Sequence, residues 1–352
     1  MKRSVLFLMV SVLLLSAVFC EKSKVYFTSG ITAEGAWKVF QKIREGVKGN
    51  SVGLKVHFGE KGNKWFIKPE ISRKLVQKLA LTYVETNVLY RSPRQKTEDH
   101  IKLAKEHGFT YGPIDILDSE GMDTYEVKMK HLDKFYVGKD LKRYDTIIVF
   151  SHFKGHGYAG FGGAIKNVSM GLAPPKGKLD MHSGASPIYD NELCIKCNRC
   201  VEKCPKDAIT INPLKIDKEK CIACGDCASV CPVGAIRAHS RSEQHIYFLE
   251  KLSEYAKVLS DKNNFVYINV IANVSRYCDC SSRAPEPFID DIGILASTDI
   301  VAIDQACHDL VDKAHGSDDA FLKENKLSGK HQLKYAEEIG LGSRTYELIE
   351  LK

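Results

Sequence analysis

The chain has 352 residues, 44% hydrophobic and 27% charged, and its formal net charge of +7 comes from interspersed Lys, Arg, Asp and Glu. That composition belongs to a globular protein of two or three domains and excludes a disordered or fibrous chain. The positive balance contains no basic run, so no nucleic-acid partner is expected.

The first twenty residues stand apart. Lys2 and Arg3 precede an apolar run over 4–19 that ends at Cys20. A signal peptide or a retained N-terminal anchor is expected at 1–20. Lipid attachment at Cys20 is the alternative, with the bulky Phe19 against it.

From residue 21 the pattern is α/β, and a discontinuous α/β domain with a mostly parallel sheet is expected over 21–185 and 241–352. Strands are predicted at 24–28, 51–58, 81–87, 144–151, 265–271 and 291–297, with short sheet pieces at 115–117 and 124–130. The run YDTIIVFS at 144–151 is apolar on both faces, as a buried parallel strand must be. Helices are predicted at 32–47, 69–81, 97–107, 245–259, 299–314 and 330–339. The first shows helical periodicity through Ala36, Val39, Phe40, Ile43 and Val47. Thr97, Asp299 and Ser328 read as caps, and Gly108 and Gly340 as stops.

Between the two flanks, 186–240 carries an internal repeat. Cys194, Cys197, Cys200 and Cys204 have the spacing C-x2-C-x2-C-x3-C with Pro205 following, and Cys221, Cys224, Cys227 and Cys231 repeat it before Pro232. This is the bacterial two-cluster ferredoxin run, in which the fourth cysteine of each set serves the other cluster. The expected ligands are Cys194, Cys197, Cys200 and Cys231 for one 4Fe-4S cluster and Cys204, Cys221, Cys224 and Cys227 for the second. A zinc ribbon favours CxxC pairs set farther apart. Short strands are expected to begin at Ala208-Ile209 and Ala235-Ile236. The location stays open, because the leader points to export or anchoring and cluster assembly to a reducing cytoplasm.

Polar residues gather where predicted strands end: Lys55 and His57, Glu85 and Asn87, His152, Lys154 and His156, then Asn269, Asn273 and Cys278-Asp279-Cys280. Ligands of open α/β sheets bind at the carboxyl ends of the strands. The candidate catalytic set is His57, Glu85, His152, Lys154, His156 and Lys166. The lysines would neutralise substrate charge, and Glu85 and the histidines would move protons. His57 and Lys55 also read as an exposed pair, and His152 and His156 as metal ligands or loop-fixing groups. Gly160, Gly162 and Gly163 would let the backbone approach an anion beside Lys154 and Lys166, without matching a dinucleotide or P-loop fingerprint. Cys278 and Cys280 could bind a soft metal, form a redox pair or stay as two thiols. Cys307 reads as a buried small hydrophobe. Asp304 reads as polar support in the core or as a site carboxylate.

The segments LKVHFGE (54–60), KTEDHIKLAKEHGF (96–109), SHFKGHGYAGFGGAIKN (151–167) and DIGILASTDIVAIDQACHDLV (291–311) resemble the domain of unknown function 362 family of iron–sulfur-centre proteins. The resemblance covers nearly all of the chain after residue 22. It implies an α/β domain carrying an inserted two-cluster ferredoxin domain, and names no reaction. The expected function is therefore a redox protein passing single electrons between its two 4Fe-4S clusters and a site in the α/β domain, working with a redox partner protein. The alternatives are a non-enzymatic electron-transfer module and a metal or cofactor maturation protein handling cargo at Cys278 and Cys280.

Overall fold

The structure is a computed structural model that describes residues 22–182, 187–221, 226–237, 243–282 and 284–352. The leader with Cys20, and the cluster candidate Cys224, lie outside these residues. Among the described residues no helix is long and apolar enough to cross a membrane.

The strands before the cysteine repeat are β1 (Ser23–Thr28), β2 (Val52–Lys55), β3 (Thr82–Glu85), β4 (Ile114–Ile116), β5 (Met122–Glu126), β6 (Lys134–Gly138), β7 (Thr146–His152), β8 (Lys154–His156) and β9 (Gly160–Gly162). Those within and after it are β10 (Ile188–Tyr189), β11 (Ile209–Ile211), β12 (Leu214–Ile216), β13 (Ile236–Arg237), β14 (Phe265–Ile271), β15 (Gly293–Ser297) and β16 (Tyr346–Glu350). The helices before the repeat are α1 (Ala33–Gln41), α2 (Arg73–Leu79), α3 (Thr97–Glu106), α4 (Ala164–Leu172) and α5 (Pro175–His182). The remainder are α6 (Arg199–Lys203), α7 (Asp226–Ser229), α8 (Glu243–Lys262), α9 (Ile300–His315), α10 (Ala320–Asn325) and α11 (Lys330–Glu338).

Eight strands form one sheet in the order β16-β1-β15-β14-β7-β2-β3-β4. Only β15 runs against its neighbours; the other pairings are parallel. β7 and β14 sit at its centre, buried along their full lengths, which is why both sequences are continuously apolar. Alternate residues serve opposite faces. Ile148 and Ile268 pack with Val39 and Phe40 of α1, whereas Ile147 and Val149 pack with the Ile165, Leu252 and Val301 side. Because β14 follows the cysteine repeat and β7 precedes it, the sheet is closed by both flanks.

The predicted helix over 32–47 is capped by the Thr32 side chain but ends at Gln41, and Arg44–Gly46 is a separate 3-10 turn. Likewise Pro69–Ser72 is a 3-10 turn before α2. Thr97 is not a cap: Lys96 holds that position without a side-chain bond, and Thr97 is the first helical residue. Gly329 stands at the N-cap of α11, so Ser328 lies one residue before it. Asp299 is the cap expected, accepting from the Val301 and Ala302 amides. The sheet piece expected at 124–130 is β5, set two residues earlier at its start and ending at Glu126; its partner β6, the hairpin β8-β9, helices α4, α5 and α10, and strand β16 come without a preceding sequence expectation.

The segment 187–237 adds no strand to the large sheet among the described residues. It pairs β10 with β13 and β11 with β12, and closes its own apolar cluster around Cys200, Cys204, Ile209, Leu214, Cys227 and Ile236. β11 and β13 start at Ile209 and Ile236, at the repeated Ala-Ile positions.

Candidate functional site

Strands β7, β2 and β3 are parallel neighbours, so Lys55, Glu85 and His152, the last residue of each, emerge at one sheet edge. There they open into a cleft of about 890 Å³, counted out to its mouth, whose lining includes His57, Glu85, His152, Lys154, His156 and Lys166 together with Lys55 and Cys280. All six candidate catalytic residues therefore meet in one place. Asn87, Asn269 and Asn273 do not line it.

Lys55 is fully buried, and its ammonium donates to Glu85 Oε1 at 2.9 Å, Asn167 Oδ1 at 2.8 Å and the Val56 carbonyl at 2.8 Å. Burial lowers its pKa, and Glu85 opposes that shift. Gly171 of α4 makes room: a Cβ there would lie 2.5 Å from both Lys55 Cε and Nζ.

His57 is not half of an exposed pair, since Lys55 is sealed inside. Its Nε2 lies 3.0 Å from Arg94 Nη1, and its Nδ1 accepts from the Gly59 amide at 3.1 Å. Two donors face one ring, and burial with Arg94 and Lys154 holds His57 well below its ordinary pKa, as a neutral imidazole. Arg94, almost fully buried, also pairs with Glu60 at 3.2 Å and with the Tyr90 hydroxyl.

Asp279 organises the opposite wall. Its carboxylate lies 2.8 Å from His152 Nδ1, 3.6 Å from Lys154 Nζ and 3.9 Å from His57 Nδ1. Burial alone would raise its pKa, but His152 and Lys154 bring it down to about 2. The other nitrogen of His152 faces the Ala272 carbonyl at 2.6 Å, so both ring nitrogens have protein partners. His156 Nδ1 accepts from the Tyr158 and Ala159 amides at 3.2 and 2.9 Å. These bonds give both histidines a loop-fixing role. Cys278 and Cys280 are joined in a disulfide in the structure, the arrangement of the redox-pair alternative. One nitrogen of His156 lies within 4.8 Å of both sulfurs.

Lys166 differs from its neighbours: its ammonium makes no hydrogen bond or ion pair among the described residues. Burial, with Lys154 close by, lowers its pKa to about 7. Lys178 was not anticipated. It donates to Thr86 Oγ1 and the Asn87 and Ala173 carbonyls, and burial lowers it to about 8. The signal for it is Pro175 at the first position of α5, a recognisable helix start. Arg94 carried no comparable signal.

The glycine run mainly serves the protein. A Cβ at Gly160 would lie 2.3 Å from the Gly329 nitrogen, and one at Gly163 would lie 2.3 Å from Asp304 Oδ1. Asp304 is not a cleft carboxylate. It accepts from the Ala164 and Ile165 amides at the start of α4 and from Asn269 Nδ2, and burial raises it to about 6 against those bonds. Cys307 is fully buried, as a small hydrophobe would be.

In the cysteine-rich unit, Lys196 and Asn198 adopt positive φ angles of 55° and 64°, turning the first cysteine loop tightly on itself. Cys194, Cys197, Cys200 and Cys231 line one cavity. Residues from both runs thus share a pocket, which fits the crossed ligand set of a two-cluster ferredoxin. In the second set, Cys204 Sγ accepts from the Ala208 amide at 3.3 Å. The unit reaches the cleft through Lys203, whose ammonium lies 5.6 Å from the Tyr90 ring centroid; Tyr90 lines the cleft.

Together these features define an α/β protein with a cation-rich cleft at parallel strand ends, touched by a separate cysteine-rich unit. The chain belongs to the family described as domain of unknown function DUF362, whose model matches residues 52–309. That span holds the cleft residues named above and the whole cysteine repeat. No curated protein matches the chain. Among solved structures, the lactate racemase apoprotein from Thermoanaerobacterium thermosaccharolyticum is similar at 12% identity and a TM-score of 0.38, over 82% of this chain and 57% of that one. A Thermotoga maritima protein is similar at 11% identity and a TM-score of 0.42, over 82% of this chain and 60% of its own.

Proposed function

We propose that this chain is an iron–sulfur redox protein that binds two 4Fe-4S clusters in an inserted ferredoxin-type domain and exchanges single electrons with a site in the cleft. The observation that carries the reading is the cavity shared by Cys194, Cys197, Cys200 and Cys231. Three consecutive thiols and the last cysteine of the other run meet there, as the duplicated spacing requires. Cys204, Cys221, Cys224 and Cys227 would hold the second cluster. The clusters, when bound, supply one-electron chemistry.

The chain's own residues divide the remaining work. Lys166 and Lys154 bring positive charge to the cleft and suit an anionic substrate. Asp279 fixes His152 and Lys154, while Arg94 and Gly59 hold His57 neutral and able to accept a proton if a ligand displaces one donor. A redox partner fits the other end: Leu193, Ile195 and Val233 are exposed beside the first-cluster cysteines, and Ile195 and Val233 line their cavity. The same surface serves the second reading, a module that only relays electrons between proteins.

The test is iron and sulfide analysis of the full chain prepared without oxygen, with electron paramagnetic resonance after reduction. About eight irons and eight sulfides per chain are expected. Cys231→Ser should reduce the count to about four and leave one cluster signal. Zinc in place of iron, or no metal uptake, would overturn the reading.

A further inference from the structure

We infer that the Cys278–Cys280 disulfide is a redox-active pair and the place where the cleft collects two electrons from the cluster domain. The inference rests on the two-cluster reading and deepens it. A substrate site fed by one-electron carriers needs somewhere to pair the electrons, and a disulfide is a two-electron couple. Two clusters carry one electron each, so a full charge of the cluster domain matches one disulfide.

The geometry supports a pair built to open and close in place. Cys280 lines the cleft, on the same surface as Tyr90 and Arg94, and Tyr90 is the residue that Lys203 of the cysteine-rich unit touches. Lys203 directly precedes the cluster candidate Cys204. The loop carrying the sulfurs is held independently of the S–S bond. The Glu60 amide donates to the Asp279 carbonyl at 2.9 Å, the Ser281 amide to the Cys278 carbonyl at 2.9 Å, and Asn63 Nδ2 to the Ser281 carbonyl at 2.7 Å. The Asp279 carboxylate, between the two cysteines, is anchored by His152 and Lys154. On the hairpin side Gly155 packs closely: a Cβ there would lie 2.4 Å from the Arg276 carbonyl oxygen. Breaking the S–S bond therefore leaves both sulfurs where they started, ready to re-form it.

The step balances simply. The S–S bond accepts two electrons, one at a time, and breaks; two protons enter through the cleft and two thiols result. With both clusters bound, the two electrons would come one from each, and an external low-potential one-electron donor would replace them. The His156 ring, with Nδ1 accepting backbone amides, stands within 4.8 Å of the sulfurs as a polar neighbour.

The experiment is a coulometric reduction of the iron-loaded full chain, followed by alkylation in denaturant and mass analysis of the 278–280 peptide. The chain is expected to take up about four electrons, two for the clusters and two for the disulfide. Alkylation should appear on both cysteines only after reduction. Cys278→Ser with Cys280→Ser should keep the iron and take up about two electrons. If that variant loses its iron, alkylation of the wild-type chain decides alone. An iron-loaded chain taking up only two electrons overturns the inference. So does alkylation of the pair before reduction, or equal reduction of the pair in iron-free chain. A chain that binds no iron refutes the cluster reading instead, and the iron count separates the two failures.

Discussion

The Lys55 ammonium lies 2.9 Å from Glu85 Oε1, and neither side chain is more than 4% exposed. With Asn167 and the Val56 carbonyl this satisfies all three N–H donors of a fully buried cation. Glu85→Gln keeps the shape but leaves the cation without its counter-charge. Breaking a buried pair from one side costs about 3–5 kcal/mol. We expect the lower end of that range, because burial already lowers the Lys55 pKa and the amine can neutralise. Lys55→Met with Glu85→Leu should recover most of the loss. Denaturant unfolding measures both, and a Glu85→Gln chain within 0.5 kcal/mol of wild type, roughly the effect of a neutral surface change, would refute the dependence.

Gly171 tests the same pair from its neighbour. Alanine in a helix normally gains about 1 kcal/mol over glycine. Here the added Cβ would meet the end of Lys55 at 2.5 Å, and overpacking costs about 1–3 kcal/mol. Gly171→Ala should therefore destabilise the wild-type chain yet stabilise one already carrying Lys55→Ala, which removes both atoms the new Cβ would meet. That reversal of sign in a double-mutant cycle is the diagnostic result; the same sign in both backgrounds would show that Lys55 is not what Gly171 accommodates.

The sequence made much of the sheet and most of the cleft residues legible for one physical reason: strand-end polar groups follow apolar runs, and parallel strands bring those ends to a single edge; Lys166, in α4, was marked instead by the glycine run before it. Lys55, Glu85 and His152 obey that rule directly. Asn269 does not, because it lies within β14 and its amide reaches Asp304. Asp304 looked ambiguous because its partners, the first amides of α4, belong to a helix whose start is marked by glycine rather than a capping side chain. Arg94 and Lys178 could not be placed from spacing, since one sits in an irregular loop and the other reaches the cleft from a short helix. The duplicated cysteine run is legible from its local spacing, whereas the meeting of Cys231 with Cys194, Cys197 and Cys200 in one cavity depends on tertiary structure.

Asp279 makes the fold sensitive to acid. Its pKa is about 2 in the folded chain against about 3.9 for an unfolded aspartate. The folded state therefore binds fewer protons between about pH 4 and pH 2. The stabilisation is complete above pH 4 and lost as pH falls through 2, by roughly 2–3 kcal/mol. Asp312 and Glu250 are also pulled down to about 2, so Asp279→Asn should flatten the acid limb without abolishing it. Urea unfolding from pH 5 to pH 2.5 gives the comparison, and parallel curves for the two chains would contradict it.

Asp304 acts with the opposite sign. Burial raises its pKa to about 6 despite three donors, so the folded state holds the proton more tightly than the unfolded one. Its contribution is fully present below about pH 4 and lost as pH rises through 6. Asp304→Asn keeps one acceptor oxygen for the start of α4 and cannot ionise. Its stability should fall less than that of wild type between pH 4 and 7, read from the same unfolding series. A steeper fall would mean that the ionised carboxylate stabilises α4 more than burial penalises it.

Lys166 offers the chemical test of the cleft. At a pKa of about 7 roughly half of its amine is neutral at pH 7, whereas an ordinary lysine near 10.4 is neutral in only about one molecule in 2,500. The neutral amine is the nucleophile, so limited acetic anhydride at pH 7 should modify Lys166 ahead of fully exposed lysines. Its intermediate exposure lowers access by far less than this gain of about a thousandfold. Lys178, lowered to about 8 but tied by three hydrogen bonds, serves as the control and should react later. Peptide mass analysis at increasing reagent gives the order. If Lys166 reacts no sooner than surface lysines, its ammonium is held charged by a partner in the cleft, and the unpaired positive charge proposed for an anionic substrate is already engaged.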